Sequence, residues 1–359
     1  MSNPIFIARQ DTLEQEILPA QWLSQYKLFG EESYTFQDKE IWKRLCMSRA
    51  AANDRDMHAE ALEEMLTTFS AEHTGKWMLT VYGMDAAVLE GLATMAAVAG
   101  NGTAMAAVAG NALLMHAITN SETAMRVIAN SQTAMQRVAN SATAMDAISG
   151  SKIARDAVQA SPYYDAKIKE NDMAIAKLVV GFANLESARY SGCAGMAADS
   201  TAMTAVAASS TAMTAVAASG VALKAIAQAY KKTANMLQFL KAVNASDTLV
   251  KRIYSTLTNA TALFGAAQLG SQDSVENANS WATTSAAPNA FLACACGYYG
   301  SSSDSVSVTY NGTVIAQKKT GTKQPGSVAS TNVNAITMAP STFTENGDGY
   351  LAVQKFTAK

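Results

Sequence analysis

Apolar residues recur at ten-residue intervals through the first half of the chain. Methionine occupies positions 95, 105, 115, 125, 135 and 145, and Val or Ile follows three places after each of them. Ala fills much of each unit, and Asn, Ser or Gly stands at the joint between units. A period this strict is typical of a repeat array, in which each unit packs on its neighbours.

A second array follows an interruption. Ser200 and Ser210 each begin the same nine residues, Ser-Thr-Ala-Met-Thr-Ala-Val-Ala-Ala, and weaker repeats continue to Leu263. This array is shifted by two positions against the first. We therefore expect a skip or a bulge between Ser161 and Met196.

Each unit predicts a short helix of about seven residues, because Ala and Met favour helices whereas Ser and Asn favour caps. Isolated helices below about 12 residues are marginal in water. A single file of such helices is expected to leave half of the Ala and Met surface wet, so we expect other copies of the chain to cover it. The favoured arrangement is a supercoiled, trimeric shaft.

A continuous coiled coil is the main alternative, because the spacing can be written as heptads interrupted by three-residue stammers. Ten residues over three turns is about 3.33 residues per turn, which would overwind every unit. Gly100, Gly110 and Gly150 also favour joints, since Gly costs about 1 kcal/mol inside a helix. A parallel β-helix fits less well, because Ala and Met are poor strand residues.

The inward positions of both arrays are predicted to form an inter-chain core. These are Met95, Val98, Met105, Val108, Met115, Ile118, Met125, Ile128, Met135, Val138, Met145, Ile148, Met203, Val206, Met213 and Val216. Outward positions such as Glu122, Gln132 and Asp146 are expected to stay wet.

Residues 1–80 differ in composition from the arrays. They are rich in charge and hold three of the four tryptophans, Trp22, Trp42 and Trp77. Helical periodicity is present at 38–50 and 54–69. Two interpretations stay open: a docking module that binds other proteins, or a helical cap that closes the first repeat.

After Leu269 the composition changes to Ser, Thr, Asn and Gly with alternating apolar residues, which is typical of β-strands. Asn311-Gly312 lies between two alternating segments and predicts a hairpin with a type I′ turn. Further strands are expected at 291–299, 333–338 and 350–356. Together they predict an antiparallel sandwich or jelly roll of about 80 residues.

The loops of this β domain are candidates for contact with a ligand. The candidate residues are Tyr298, Tyr299, Asp304, Asn346 and Asp348, since aromatic rings can pack on a sugar and polar side chains can bind its hydroxyls. The alternative is that both tyrosines are ordinary strand residues.

The expected fold is α + β with several domains. They are a helical module at 1–80, a first decapeptide array at 81–160, an interruption at 161–196, a second array at 197–270 and an antiparallel β-sandwich at 271–359.

Composition narrows the function classes. A formal net charge of -2 with 16% charged residues gives no basic footprint for nucleic acid. No apolar stretch reaches the roughly 20 residues that a membrane-spanning helix needs. The segment from Met1 to Arg9 lacks a basic region followed by an apolar run, so we expect synthesis in a cytoplasm without a cleaved signal.

No set of residues predicts catalysis, so we expect no enzyme activity and no cofactor. Residues 24–27 and 319–321 match two of the three marks of penicillin-recognising enzymes, but the third, Ser-Asp-Asn, is missing. The three histidines lack metalloprotease spacing. Cys294 and Cys296 have no second pair of ligands, so we expect buried free thiols rather than a metal site.

These parts together resemble a tailed-bacteriophage fibre or appendage protein: a distinct N-terminal module, an Asn-Ser-x-Thr-Ala-Met-x-x-Val-Ala array, and Ser-, Thr- and Gly-rich strands. The array resembles, more loosely, the supercoiled short-helix shafts of trimeric phage head fibres. The resemblance implies a homotrimer in the virion, assembled in the host cytoplasm. It implies docking on other virion proteins through residues 1–80 and a β tip that faces a glycan or protein of the host surface.

Two other classes stay open. The chain could be a head, collar or tail-tip decoration protein without a receptor role. It could also be a monomeric α-solenoid that binds proteins, although the repeat shows no persistent polar or aromatic stripe for a groove.

Overall fold

A computed structural model of the chain describes residue 92 and residues 95–229, 233–273, 280–283, 290–298, 305–319, 327–338, 341–346 and 349–359. Within these ranges it has fifteen α-helices, one 3-10 helix and eight β-strands. The chain divides into two compact units, Met1–Ile168 and Lys169–Lys359. The module predicted at 1–80, with its three tryptophans, lies outside the described residues.

Short helices separated by polar joints make up the described part of the first unit. They are α1 (Met95–Gly100), α2 (Gly102–Gly110), α3 (Ala112–Asn120), α4 (Glu122–Ala129), α5 (Gln132–Ala139), α6 (Ala142–Gly150), α7 (Lys152–Gln159) and α8 (Tyr164–Lys167). An Asn or Ser precedes each of α2 to α7, and its side-chain oxygen accepts a first-turn N–H. The helices therefore end at the joints, unlike those of a continuous coiled coil.

Successive helices bend sharply at these joints. Helix α2 and the Leu114–Asn120 part of α3 meet at 95°. The chain consequently winds so that α2 packs on α5, α3 on α6 and α4 on α7. Each helix thus lies against the helix three units before it.

Hydrogen bonds from four joint serines connect turns of this winding that lie three units apart. The serine Oγ donates to a backbone carbonyl oxygen 32 residues earlier in four successive pairs: Ser131 to Ala99 (2.7 Å), Ser141 to Ala109 (2.6 Å), Ser151 to Thr119 (2.5 Å) and Ser161 to Ala129 (2.6 Å). We call these four contacts the serine ladder. At 131, 141 and 151 the same oxygen also accepts the N–H three residues later. One hydroxyl therefore caps its own helix and holds the joint three units earlier.

The inward side chains are buried by the same chain. Every Met, Val and Ile predicted for the core, from Met95 to Val216, has 5% or less of its surface exposed in the single chain. A single file of helices was expected to leave half of this surface wet, but the winding brings the helix three units away onto it. Burial of the core therefore gives no reason to require other copies, and the oligomeric state stays a prediction.

The interruption begins the second unit. It contains α9 (Asp172–Phe182), a 3-10 helix (Ser187–Arg189) and α10 (Cys193–Ala198). Asn171 keeps the period of the first array and caps α9. The next joint in the period of the second array is Asp199, two residues short of three full units after Asn171. The two-residue shift therefore lies between these two caps.

The second array repeats the same packing with less regular spacing. Its helices are α11 (Ser200–Ala208), α12 (Ser210–Ala218), α13 (Gly220–Gln228), α14 (Thr233–Asn244) and α15 (Asp247–Asn259). Helix α11 packs on α14, and α12 packs on both α9 and α15. Ser209 Oγ donates to Phe182 O at 2.9 Å and Thr256 Oγ1 donates to Ala217 O at 2.7 Å, across 27 and 39 residues.

The described C-terminal strands form two antiparallel sheets. The strands are β1 (Phe264–Asp273), β2 (Ser280–Thr283), β3 (Ala290–Tyr298), β4 (Ser305–Tyr310), β5 (Thr313–Lys319), β6 (Val333–Met338), β7 (Ser341–Asn346) and β8 (Gly349–Ala358). Their orders are β1-β8-β3-β6 and β2-β7-β4-β5. Two four-stranded sheets in these orders form an eight-stranded jelly roll. The expected combination of helices and antiparallel sheets is confirmed.

The hairpin predicted at Asn311-Gly312 is confirmed. Tyr310 pairs with Thr313, so the turn has two residues. Asn311 and Gly312 have φ of 45° and 77°, the positive values that a type I′ turn requires. The β region begins at Phe264, earlier than the 271 expected from composition, because strand β1 follows α15 after a short turn.

Charge placed in the array core is expected to unfold the chain. Met135 has no exposed surface, whereas Gln132 on the same helix is exposed. We predict that Met135→Asp lowers the free energy of unfolding by about 3 kcal/mol or more, because an unpaired carboxylate would replace buried apolar surface. Urea unfolding followed by circular dichroism measures this. Gln132→Asp is the control, and a similar loss in both variants would contradict the inward assignment.

The serine ladder gives a second prediction. Ser141→Ala removes a cap and leaves the carbonyl of Ala109 without its donor, so we expect a loss of about 2 kcal/mol in the free energy of unfolding. The control is Ala142→Ser, which places a hydroxyl at the adjacent exposed position. Thermal unfolding of both variants and of the wild type measures this loss of stability. An unchanged Ser141→Ala protein would mean that the ladder only accompanies the winding.

Candidate functional site

Buried polar contacts hold the jelly roll against the last two helices. Asn244, at the end of α14, donates from Nδ2 to Ile336 O at 2.7 Å, and its Oδ1 accepts the Ile336 N–H at 3.1 Å. Its Nδ2 also donates to Leu240 O at 2.8 Å. Because β6 is an edge strand, the Asn244 amide supplies the pair of bonds that a further strand would make.

Helix α15 makes a second contact of this kind. The Tyr254 hydroxyl lies 2.7 Å from Val328 O and 2.9 Å from Gln354 Oε1. The Tyr254 ring meets the Phe356 ring edge-on, with centroids 5.7 Å apart. Burial raises the pKa of the Tyr254 hydroxyl. These contacts place the second array and the jelly roll in one compact unit.

An ion pair also connects the jelly roll to helix α15, nearer the surface. Lys318 Nζ on β5 lies 2.6 Å from Asp247 Oδ1 at the start of α15. The hydrogen bond to Lys318 and the charge of that residue lower the pKa of the Asp247 carboxyl. Because the Asp247 side chain is largely exposed, this pair orients the helix start more than it stabilises the fold.

Two of the five predicted ligand contacts fall on described strands, at the same end of the jelly roll. Tyr298 ends β3 opposite Gly349, the first residue of β8. Asn346 ends β7 opposite Ser305, the first residue of β4. The structure thus brings these strand ends together, and the position of Tyr298 in a strand agrees with the alternative interpretation. Tyr299, Asp304 and Asp348 lie outside the described residues.

The interruption holds a cluster of titratable groups that the sequence analysis did not single out. Asp172 Oδ1 accepts the Cys193 N–H at 3.1 Å, and the Cys193 thiol donates to Asp172 O at 3.4 Å. Burial, with the Asp172 carboxylate, raises the pKa of the Cys193 thiol well above its ordinary value. A thiol held protonated in this way is a poor nucleophile.

Two further contacts surround this cluster. A Cβ on Gly192 would overlap the Asp172 carboxylate, so a larger residue there would have to displace that side chain. The Tyr190 hydroxyl donates to Asp199 Oδ2 at 2.8 Å, and burial together with this hydrogen bond raises the pKa of Tyr190 to about 12. The other Asp199 oxygen caps α11. Asp199 thus replaces the usual joint serine.

The two cysteines with described side chains, Cys193 and Cys294, are free and buried. Burial raises the pKa of the Cys294 thiol to about 12. Among the described residues, no group of three or more His, Cys, Asp and Glu side chains is placed to hold a metal ion.

A recess of about 770 Å³ opens beside α15, and we call it the basic groove. Its described lining comes from Lys169 and Glu170, from Ala218 at the end of α12, and from the outer face of α15 with the turn after it: Lys251, Arg252, Ser255, Thr256, Asn259, Ala260, Thr261, Ala262 and Leu263. This groove was not predicted from the sequence. The sequence feature that could have indicated it is the row of polar residues at 251, 255 and 259, which lies on one helix face. Lys169 and Glu170 are too distant in sequence to be associated with that row.

No protein-family model and no curated protein sequence matches this chain. Among the described helices, none is long and apolar enough by itself to cross a membrane. Two pairs of neighbouring short helices reach that length and composition together, but the helices of each pair are bent by 95° and 105° at their joint.

The junction gives a third prediction. Asn244 is 4% exposed and pairs with both backbone polar groups of Ile336. We expect Asn244→Ala to lower the free energy of unfolding by about 2 kcal/mol or more, because two buried backbone groups lose their partner. Hydrogen exchange at β6 should rise in this variant. Asn259→Ala, at an exposed position of α15, is the control, and equal exchange at β6 in both variants would contradict the edge-pairing role.

Proposed function

We propose that this chain is a structural fibre of a bacteriophage virion, attached through its N-terminal region, whose jelly roll contacts the host surface. The observation that carries the proposal is the serine ladder. Four joints repeat the same bond at the same 32-residue spacing, while the outward positions vary freely. Such a region serves length and stiffness, because every unit makes the same contacts.

The C-terminal fold supports the second half of the proposal. Jelly rolls occur among viral capsid and lectin domains, which is an analogy of fold and not of site. The strand ends at Tyr298 and Asn346 lie at the end of the sheets opposite the Phe264–Ala358 pair, where the chain leaves the helices. In this proposal the surface that contacts the host lies at this end of the sheets.

The trimer is part of this proposal. Since the Met and Val core is filled by one chain, partner copies would meet through outward faces of the repeats or through the jelly roll. Glu122, Arg126 and Gln132 are exposed at such outward positions. A head, collar or tail-tip position without a receptor role would use the same shaft.

A second candidate function is a monomeric α-solenoid that binds proteins. Burial of the core within a single chain favours it, because the array needs no other copy to cover its apolar face. It differs from the fibre proposal in the number of chains.

Light scattering of the purified full-length chain tests the trimer. We expect about three times the 37.7 kDa of one chain. A monodisperse monomer would overturn the trimeric arrangement and place the monomeric solenoid first.

Electron microscopy of virions from the source of the sequence tests the fibre function itself. Gold-labelled antibodies against 264–359 should mark the free ends of appendages, and antibodies against 1–80 should mark their attached ends. Particles without either label would contradict the proposal, whatever the mass in solution.

A further inference from the structure

The walls of the basic groove are tied together by hydrogen bonds. Thr256 Oγ1 on α15 donates to Ala217 O in α12 at 2.7 Å. On the other side, Glu170 accepts the N–H groups of Gly220 and Val221 at 3.1 Å and 3.2 Å. These bonds fix α15 and the segment before α9 to the joint between α12 and α13.

Close packing at that joint keeps the groove in one shape. A Cβ on Gly220 would lie 3.0 Å from Ala260 Cβ and 3.0 Å from Leu263 Cδ1. The backbone of Gly220 therefore lies so close to the turn after α15 that a side chain at this position would crowd Ala260 and Leu263. The recess is preformed, which lowers the entropic cost of binding a ligand.

The groove is positively charged although the chain as a whole is not. Lys169, Lys251 and Arg252 line it, and Glu170 is the one carboxylate in its described lining. Both oxygens of Glu170 already accept backbone N–H bonds. Arg252 is exposed, and no ion pair or hydrogen bond engages its guanidinium within the described part of the chain. An anion entering the groove would therefore meet the Arg252 guanidinium, beside the ammonium groups of Lys169 and Lys251.

Hydroxyl and amide groups follow the two cations along α15. Lys251, Ser255 and Asn259 are spaced four residues apart on one face, a length of about 12 Å at 1.5 Å per residue. A single phosphate ion would use only the cations. A row of this length fits an extended ligand that carries both negative charges and hydroxyl groups.

The described lining contains no aromatic residue. Single-stranded nucleic acids bind largely through stacking of their bases on aromatic rings, so the groove lacks the groups that would recognise them. An acidic sugar chain or a polyol phosphate needs only cations and hydrogen-bonding groups.

We propose that the basic groove binds an anionic saccharide or polyol-phosphate chain. Arg252 and Lys251 contact its anionic groups, and Ser255 and Asn259 bind its hydroxyls. The volume of about 770 Å³ lies within the range of small-molecule sites, about 300–1,000 Å³. This site is separate from the strand ends of the jelly roll and does not depend on the fibre proposal.

Calorimetric titration of the full-length chain tests the proposal, with short oligogalacturonates and glycerol-phosphate oligomers as probes. We expect binding of at least one of them that weakens with added salt, and none of a neutral galacto-oligosaccharide. Preference for one probe identifies the anion as a carboxylate or a phosphate. No binding of either probe by the wild type would overturn the proposal.

Two variants locate the site. Arg252→Glu reverses a charge in the groove and Ser255→Trp fills it, and each should weaken binding about tenfold or more while circular dichroism stays unchanged. Their controls are Lys241→Glu on α14 and Thr258→Trp on α15, both exposed and outside the groove lining. Equal loss in Lys241→Glu would indicate nonspecific attraction and overturn the site. Binding of an oligothymidylate as tight as that of the best saccharide would also overturn the ligand class.

Discussion

The hydrogen bond from a joint serine to the carbonyl three units earlier is the constraint on which the first array depends. A hydrogen bond of this kind contributes only about 0.5–1.5 kcal/mol net. Burial of a Met or Val side chain contributes about 1.5–3 kcal/mol each, so the apolar core supplies most of the stability. The core alone, however, is made of similar Ala and Met surfaces that could slide past one another. The serine restricts the register, because only shifts by whole units keep a hydroxyl opposite each of these carbonyls.

At the end of the first array, too, the apolar core and the serine bonds can be told apart. In α7 the place of the core Met is taken by Arg155, whose Nη1 donates to Ser149 O at 2.5 Å. Partial burial lowers the pKa of this guanidinium. Repeat arrays need terminal units with a polar outer face, and the loss of Met at this position supplies one. The serine at 161 nevertheless keeps its ladder bond, so the register persists one joint beyond the apolar pattern.

Sequence reasoning found the elements that depend on local chemistry. Short helices between Ser and Asn joints, and the type I′ turn at Asn311-Gly312, follow from caps and from positive φ. The winding did not follow, since the bond between Ser141 and Ala109 joins residues with no shared pattern in the sequence. This is why the core was assigned to contacts between chains. The basic groove was missed for a related reason: Glu170 and Arg252 are brought together only by the packing of α12 against α15.

The serine ladder also bears on how a protein of this kind can change in evolution. Removing or duplicating a ten-residue unit leaves every remaining serine opposite a carbonyl, so the array can lengthen or shorten by unequal recombination without loss of fold. Any other change in length puts the following serines out of step. The two-residue offset after Asn171 is such a change, and it is accommodated by a rebuilt segment in which Gly192, Tyr190 and Asp199 replace the ordinary joint. The length of the array is therefore expected to change in steps of ten residues.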